Sequence, residues 1–209
     1  MLVHIVYAHP DHAGFVGALL DAFVGGLTDA GHTHTMSDLY QMGFNPVMSP
    51  AEYARESRFD PSAPVAADVA AEHAKLDAAD AWAFVYPVWW TDCPAIMKGW
   101  FDRVWTVGWA YGPAPLQPDS NGQLVHQSGS RRSTKKAVVL CSAGHLASQL
   151  REWGCYQAME TMMLTDRIFD RADEKEFHVF DGSAVVFGEE WAALRAQHLA
   201  DARALGRHM

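Results

Sequence analysis

Three short stretches of the chain carry residue types able to hold or transform a small molecule. The first is His9-Pro10-Asp11-His12-Ala13-Gly14, just ahead of an apolar run with helical spacing. A helix N-terminus presents free N–H groups and a partial positive charge, which suits a phosphate. Gly14 lets a ligand approach the backbone closely. The same residues also read as a plain turn capped by Asp11. The second stretch is Tyr86-Pro87-Val88-Trp89-Trp90-Thr91-Asp92-Cys93-Pro94. Backbone polar groups beside flat indole faces suit a planar aromatic ligand such as an isoalloxazine ring. The third, Ser142-Ala143-Gly144-His145, offers a hydroxyl, a tight turn and an imidazole. His145 is the candidate catalytic residue, placed to hydrogen-bond a ring carbonyl or a substrate; a surface-loop histidine is the other reading.

The tryptophans sharpen the second stretch. Of 8 Trp, six (Trp82, Trp89, Trp90, Trp100, Trp105 and Trp109) lie between residues 82 and 109. Indole N–H groups need partners, so Trp favours pocket edges and interfaces as well as cores. Neighbours on a strand point to opposite faces. One indole of Trp89-Trp90 is therefore expected to pack inward while the other faces a cleft.

The elements that must position these loops follow from the apolar pattern. Residues 2–8 read as a buried strand and 14–30 as a helix closed by Gly31. Residues 33–39 read as a second strand, 66–79 as a helix, 81–86 as a third strand stopped by Pro87, and 94–107 as a helix. Residues 137–142 and 177–180 complete five strands, with helices over 148–164 and 189–205. Residues 43–65, rich in Pro, read as a long, largely irregular excursion, which in a compact protein is usually functional. Residues 112–134 read as a surface loop, with Arg131-Arg132 and Lys135-Lys136 as a solvated basic patch. The helical spacing of Met159, Met162 and Met163 suits a core or dimer face, and Asp102-Arg103 reads as a surface helix pair. Strands alternating with helices imply a parallel sheet with helices on both faces. Such sheets bind ligands beyond the C-terminal strand ends, where all three loops fall.

Composition narrows the function classes. The chain has 209 residues, and 16 Lys plus Arg against 25 Asp plus Glu give a net charge of −9. That length and 49% hydrophobic content suit one domain, 1–209, and rule out bulk disorder. The acidic balance argues against nucleic-acid binding, and no apolar run is long enough for a membrane span. Residues 2–7 are too short, and lack the basic flank, for a signal peptide. Three unpatterned cysteines, Cys93, Cys141 and Cys155, point to a reducing cytoplasm.

Pro87-Val88-Trp89-Trp90 followed by Pro94-Ala95-Ile96-Met97-Lys98-Gly99-Trp100-Phe101-Asp102-Arg103-Val104 resembles the signature of the flavodoxin-like NAD(P)H:quinone oxidoreductases. Val6 to Pro10, Ser37 to Tyr40, Phe44 to Pro46, Ala79-Asp80, Trp109 to Gly112 and Lys135 to Val138 are similar too. The resemblance covers about residues 2–145. It implies an α/β doubly wound five-stranded parallel sheet of order 2-1-3-4-5. It also implies FAD or FMN at the C-terminal sheet edge, NAD(P)H as hydride donor, and a quinone or similar electron-poor aromatic as acceptor. The first loop would hold the flavin phosphate through His9, Gly14 and Phe15. The second would pack the ring through Pro87, Val88, Trp89, Trp90 and Thr91. The third, Ser142, Ala143, Gly144 and His145, would contact its pyrimidine end. Trp90, Trp109 and Tyr111 would face substrate, Tyr111 closing the partner's site in a homodimer.

Two departures bear on this. The family's hydroxyl and amide side chains of the first loop are replaced by Gly14 and Val16, leaving backbone N–H groups and His12 for the phosphate. Leu150 stands near the Tyr of a Tyr/His pair in the mammalian branch, so that pair is not carried over. A chain that kept the fold but lost flavin stays open as an alternative. From another class, Ala8-His9-Pro10-Asp11-His12 resembles the opening of zinc-dependent N-deacetylases. Here His12 replaces their second Asp, and no downstream His-x-x-His follows. An electron-carrier module is a third reading, disfavoured by the Trp-rich wall and the long excursion.

Overall fold

β1 (Leu2–Tyr7) is buried along almost its whole length, as a short β-branched run in the middle of a sheet should be. The computed structural model describes residues 1–112, 116–118, 120–126 and 133–209. After β1 come α1 (Phe15–Asp29), β2 (Thr33–Asp38), α2 (Pro50–Ser57), α3 (Ala67–Ala78), β3 (Ala81–Pro87) and α4 (Ala95–Val104). A two-stranded antiparallel hairpin, β4 (Leu116–Pro118) and β5 (Leu124–His126), precedes β6 (Thr134–Ser142). Then follow α5 (Ala147–Glu152), α6 (Cys155–Glu160) running into a π-helical stretch (Thr161–Ile168), β7 (Ala172–Phe180) and α7 (Gly188–Arg207). The main sheet has the order β2-β1-β3-β6-β7, every pair parallel. Counted by sheet strands alone this is the expected 2-1-3-4-5.

The two faces of β3 differ in bulk, and the helices follow. Trp82, Phe84 and Tyr86 point into the cluster built with α3, α4 and α6. Ala81, Ala83 and Val85 face α1 and α7. Close approach of that second pair is set by Gly26 and Gly206. A Cβ on Gly26 would stand 2.0 Å from the Arg203 carbonyl oxygen, and one on Gly206 would stand 2.1 Å from that of Phe23.

Several expectations shift. The excursion over 43–65 is largely irregular as expected, but it also contains α2, begun by a reciprocal capping box between Ser49 and Glu52 with Pro50 in the first turn. Arg103 is not a surface residue. It is buried, donates from Nη1 and Nη2 to both Asp68 carboxylate oxygens at 2.6 and 3.0 Å, from Nε to Glu52 at 2.8 Å, and from Nη1 to the Asn45 carbonyl at 2.7 Å. Asp102 pairs instead with Lys98, one turn back. The Arg103 contacts fasten the excursion to α4.

β6 starts three residues early: Lys135 stays exposed near Asp80, as a solvated residue would, while Lys136 is half-buried and paired with Glu176. Arg131 and Arg132, and part of the 112–134 loop, lie outside the described residues. β7 is more than twice its expected length. Its Asp173 to Glu176 stretch lacks apolar alternation because it is a sheet edge, where charges face water. The helix over 148–164 breaks at Gly154, whose φ of 73° lies in the left-handed region. Met159 and Met163 pack in the core.

Gly206→Ala tests the α1–α7 approach. Alanine is the better helix former by about 1 kcal/mol, yet the clash with the Phe23 carbonyl should outweigh that gain. A net loss of about 1–3 kcal/mol in urea unfolding is expected; unchanged or raised stability would show that the helices separate freely.

Candidate functional site

The strand order reverses between β1 and β3, and the loops after β1, β3 and β6 meet at that end of the sheet. The loop after β3 is a tight hairpin turn. The Trp89 N–H donates to the Asp92 carbonyl at 2.9 Å and the Asp92 N–H returns to Trp89 at 3.2 Å. Between them Trp90 and Thr91 sit at φ 53° and 62°. Two successive left-handed residues make the primed turn that normally takes Asn-Gly. Bulky Trp and β-branched Thr there cost on the order of 1–3 kcal/mol each.

What holds the turn is Asp92. Its carboxylate accepts two parallel bonds from Arg167, at 2.7 and 2.9 Å, and the Cys93 N–H at 2.6 Å. Arg167 is buried in the π-helical stretch, with its guanidinium over the Phe101 ring. Burial by itself would raise the Asp92 carboxyl, but the bonds and charge of Arg167 outweigh it and hold it below the usual range. Burial pushes the neighbouring Cys93 thiol up to about 12, so it is an inert thiol rather than a nucleophile.

Neither indole of the pair packs inward, contrary to expectation. Trp90 is fully exposed and Trp89 is 42% exposed, because the turn lifts both off the strand. The third loop joins this turn: the Val88 N–H donates to the Ser142 carbonyl at 2.7 Å. Gly144 is backed by Ala184, whose Cβ would lie 3.0 Å from an added Cβ. Val88, Trp90, Thr91, Ala143, Gly144 and His145 line one cavity of about 240 Å³. Sequence reasoning missed its far wall, Leu150, Trp153 and Cys155. Trp153 stands outside the Trp-rich segment and meets the edge of the His145 ring at 5.1 Å.

In the first loop, His9 accepts the Asp11 N–H at 3.0 Å and lies 6.5 Å from the Trp89 ring. Asp11 accepts the Ala13 N–H, while His12 Nε2 donates to Asp38 at 2.5 Å. Gly14 caps α1 without a side chain, and no acid occupies the first turn. Beneath, the Tyr7 hydroxyl is buried without a partner among the described residues. Phe15 turns towards α7, against Trp191 and His198. Trp109 and Tyr111 lie apart from Trp90. Trp109 stacks on His73 at 4.1 Å and donates to Asp77, and the Tyr111 hydroxyl donates to Glu56 at 2.8 Å. Among the described residues no three His, Cys, Asp or Glu converge as a metal site, so the deacetylase-like pattern finds no metal cluster.

A model of the flavodoxin-like fold family matches residues 1–205. The chain belongs to that family. This flavodoxin-like chain is 40% identical to the NAD(P)H:quinone oxidoreductase of Methanothermobacter marburgensis, over 100% of this chain and 96% of that one, with a TM-score of 0.87. It is 36% identical over 178 residues to NAD(P)H dehydrogenase [quinone] 1 of Cavia porcellus, covering 76% of this chain and 59% of that protein. The same enzyme of Rattus norvegicus is 37% identical over 131 residues, 54% of this chain and 46% of its own. The chain thus spans about half the length of these curated relatives. No helix of the described residues is long and apolar enough to cross a membrane.

The residues present fit a flavin of this family. The turn offers a backbone edge and an indole, and α1 offers uncapped N–H groups above an unpartnered phenol. At about 240 Å³ the cavity is smaller than the ~300–1,000 Å³ that encloses a ligand. This cavity by itself therefore walls only part of a ring.

Asp92→Asn should loosen the turn and strand the Arg167 charge. An expected loss of about 2–3 kcal/mol at pH 7 allows for the partial exposure of Asp92. Because the folded-state carboxyl lies below its unfolded value, its contribution is complete above about pH 4 and fades as pH falls through the folded value. Unfolding of wild type and variant at pH 7 and pH 3 checks this. A stability gap that does not shrink at the lower pH would contradict it.

Proposed function

We propose that the protein is a flavin-dependent oxidoreductase that passes hydride from NAD(P)H to a quinone or similar electron-poor aromatic. The observation that carries this reading is the strained Trp90–Thr91 turn, held by Asp92 and sharing one cavity with Gly144 and His145 at the sheet's switch point. A bound flavin, FMN or FAD, supplies the chemistry of accepting and giving up two electrons with a proton as hydride. The chain's own residues do the rest. The uncapped N–H groups of α1 hold the phosphate in place of the absent hydroxyl and amide side chains. The backbone of Val88 to Thr91 and of Ala143-Gly144 aligns the ring edge, and His145 donates to its carbonyl side or to the acceptor. The open side of the cavity admits donor and acceptor in turn.

A homodimer completes the site in this proposal. Trp90 stands in water on the cavity with Trp89 partly exposed beside it, and Phe59 and Phe169 are also exposed. A second copy would cover apolar surface of this kind and bring its Tyr111 and Trp109 segment over the ring. The free cysteines accord with a reducing cytoplasm.

The absorption spectrum of the purified protein, with mass spectrometry of whatever is released on denaturation, tests the reading and identifies FMN or FAD. Absence of any flavin, even after addition of both, would support the flavin-free alternative. Alternating use of one pocket requires ping-pong kinetics, and intersecting initial-rate patterns would contradict it. Sedimentation at micromolar concentration tests the dimer. Trp90→Ala should weaken flavin or acceptor binding by up to about ten-fold, since an indole against a flat ring contributes on the order of 0.5–1.5 kcal/mol and about 1.4 kcal/mol is one decade. The melting temperature should hold, because a fully exposed indole leaves no internal cavity.

A further inference from the structure

Four arginines are buried: Arg55, Arg103, Arg167 and Arg171. Three have a carboxylate at hand. Arg55 pairs with Glu56, Arg103 with Asp68 and Glu52, and Arg167 with Asp92. Arg171 has none among the described residues. Its Nε donates to the Ala110 carbonyl at 3.2 Å, and its Nη1 to the carbonyls of Arg167 and Ile168 at 3.2 and 3.5 Å. Nη2 is committed to none of them. Burial pulls the Arg171 guanidinium below its usual basicity, with Asp170 and Asp166 opposing. The Arg167 and Ile168 carbonyls end the π-helical stretch and carry its partial negative charge, so Arg171 is held by backbone dipoles and pairs with no carboxylate among the described residues, which leaves its charge available to an anion.

Arg171 lines a cavity of about 310 Å³, separate from the one at Trp90 and within the range that encloses small ligands. Its walls are the rings of Phe101, Trp105 and Tyr111, and Arg171 stands 5.7 Å from the Trp105 ring. The other charges on the cavity are spoken for or wet. Lys98 is paired with Asp102, Arg167 with Asp92, and Asp166 is exposed to water. The buried cation on this space that pairs with no carboxylate among the described residues is thus a planar guanidinium between aromatic walls. That combination matches a flat aromatic group bearing a carboxylate, which a guanidinium grips through paired N–H groups.

We infer that the cavity between Tyr111, Trp105 and Arg171 is a binding site for planar aromatic carboxylates. The site needs no flavin, but it shares Tyr111 with the dimer contact proposed above, so it is tested together with the oligomeric state.

Calorimetric titration of the protein as isolated with 2-naphthoate, and in parallel with 2-naphthol, tests this. The acid should bind about ten-fold tighter than the neutral phenol, a difference worth about 1.4 kcal/mol, and added salt should reduce the gap less than for an exposed pair. Arg171→Met should abolish the preference and Arg171→Lys should retain part of it. Should Arg171→Met fail to fold because the carbonyl bonds are lost, Tyr111→Leu should still weaken both ligands together. Trp90→Ala should leave 2-naphthoate affinity unchanged. Equal affinity for acid and phenol, or loss of binding in Trp90→Ala, overturns the proposal. So does a dimer that excludes 2-naphthoate and dissociates more readily in Arg171→Lys, since a second copy would then supply the anion.

Discussion

The bidentate pair between Arg167 and Asp92 is the interaction on which the geometry of the sheet's working end depends. A buried guanidinium that loses its partner is penalised by several kcal/mol. The pair therefore locks two distant segments: the π-helical stretch before β7 and the turn after β3. Without that lock, nothing local favours left-handed backbone at Trp90 and Thr91. The strain of the turn is maintained by tertiary structure and puts an indole in water beside the cavity. Strain of this kind, over-determined by its surroundings, is typical of ligand clamps.

The same economy recurs at Arg103. One side chain ties α4 to Asp68 on α3, to Glu52 on α2 and to the Asn45 backbone. The Pro-rich excursion thus behaves as part of the scaffold. On the opposite face, α1 and α7 meet through Gly26 and Gly206, and there β3 presents Ala81, Ala83 and Val85, its aromatic rings facing the other layer.

The tryptophans divide among different surroundings. Trp82, Trp100 and Trp105 are core residues whose indole N–H groups find the Leu76 carbonyl, Glu72 and the Arg167 carbonyl. Trp89 and Trp90 lie at the tip of the turn, and Trp109 stacks on His73 beside α3. A cluster that is dense in sequence thereby serves the core, the site and a helix surface at once.

Strand and helix alternation, the parallel sheet and the placing of three loops at its C-terminal edge were legible from residue pattern, because burial period and breakers such as Pro87 are local properties. The Ser49-Pro50-Ala51-Glu52 start of α2 was equally local, and visible, but the surrounding prolines masked it. The direction of the Arg103 side chain, the exposure of both Trp89 and Trp90, the entry of Trp153 into the cavity and the isolation of Arg171 were not legible. Each depends on which distant carboxylate, carbonyl or ring arrives beside the residue. The order of residues determined which segments form strands, helices and turns. Only the tertiary structure decided which charges are paired and which indoles stay wet, since desolvation and ion pairing are set by neighbours brought together from far along the chain.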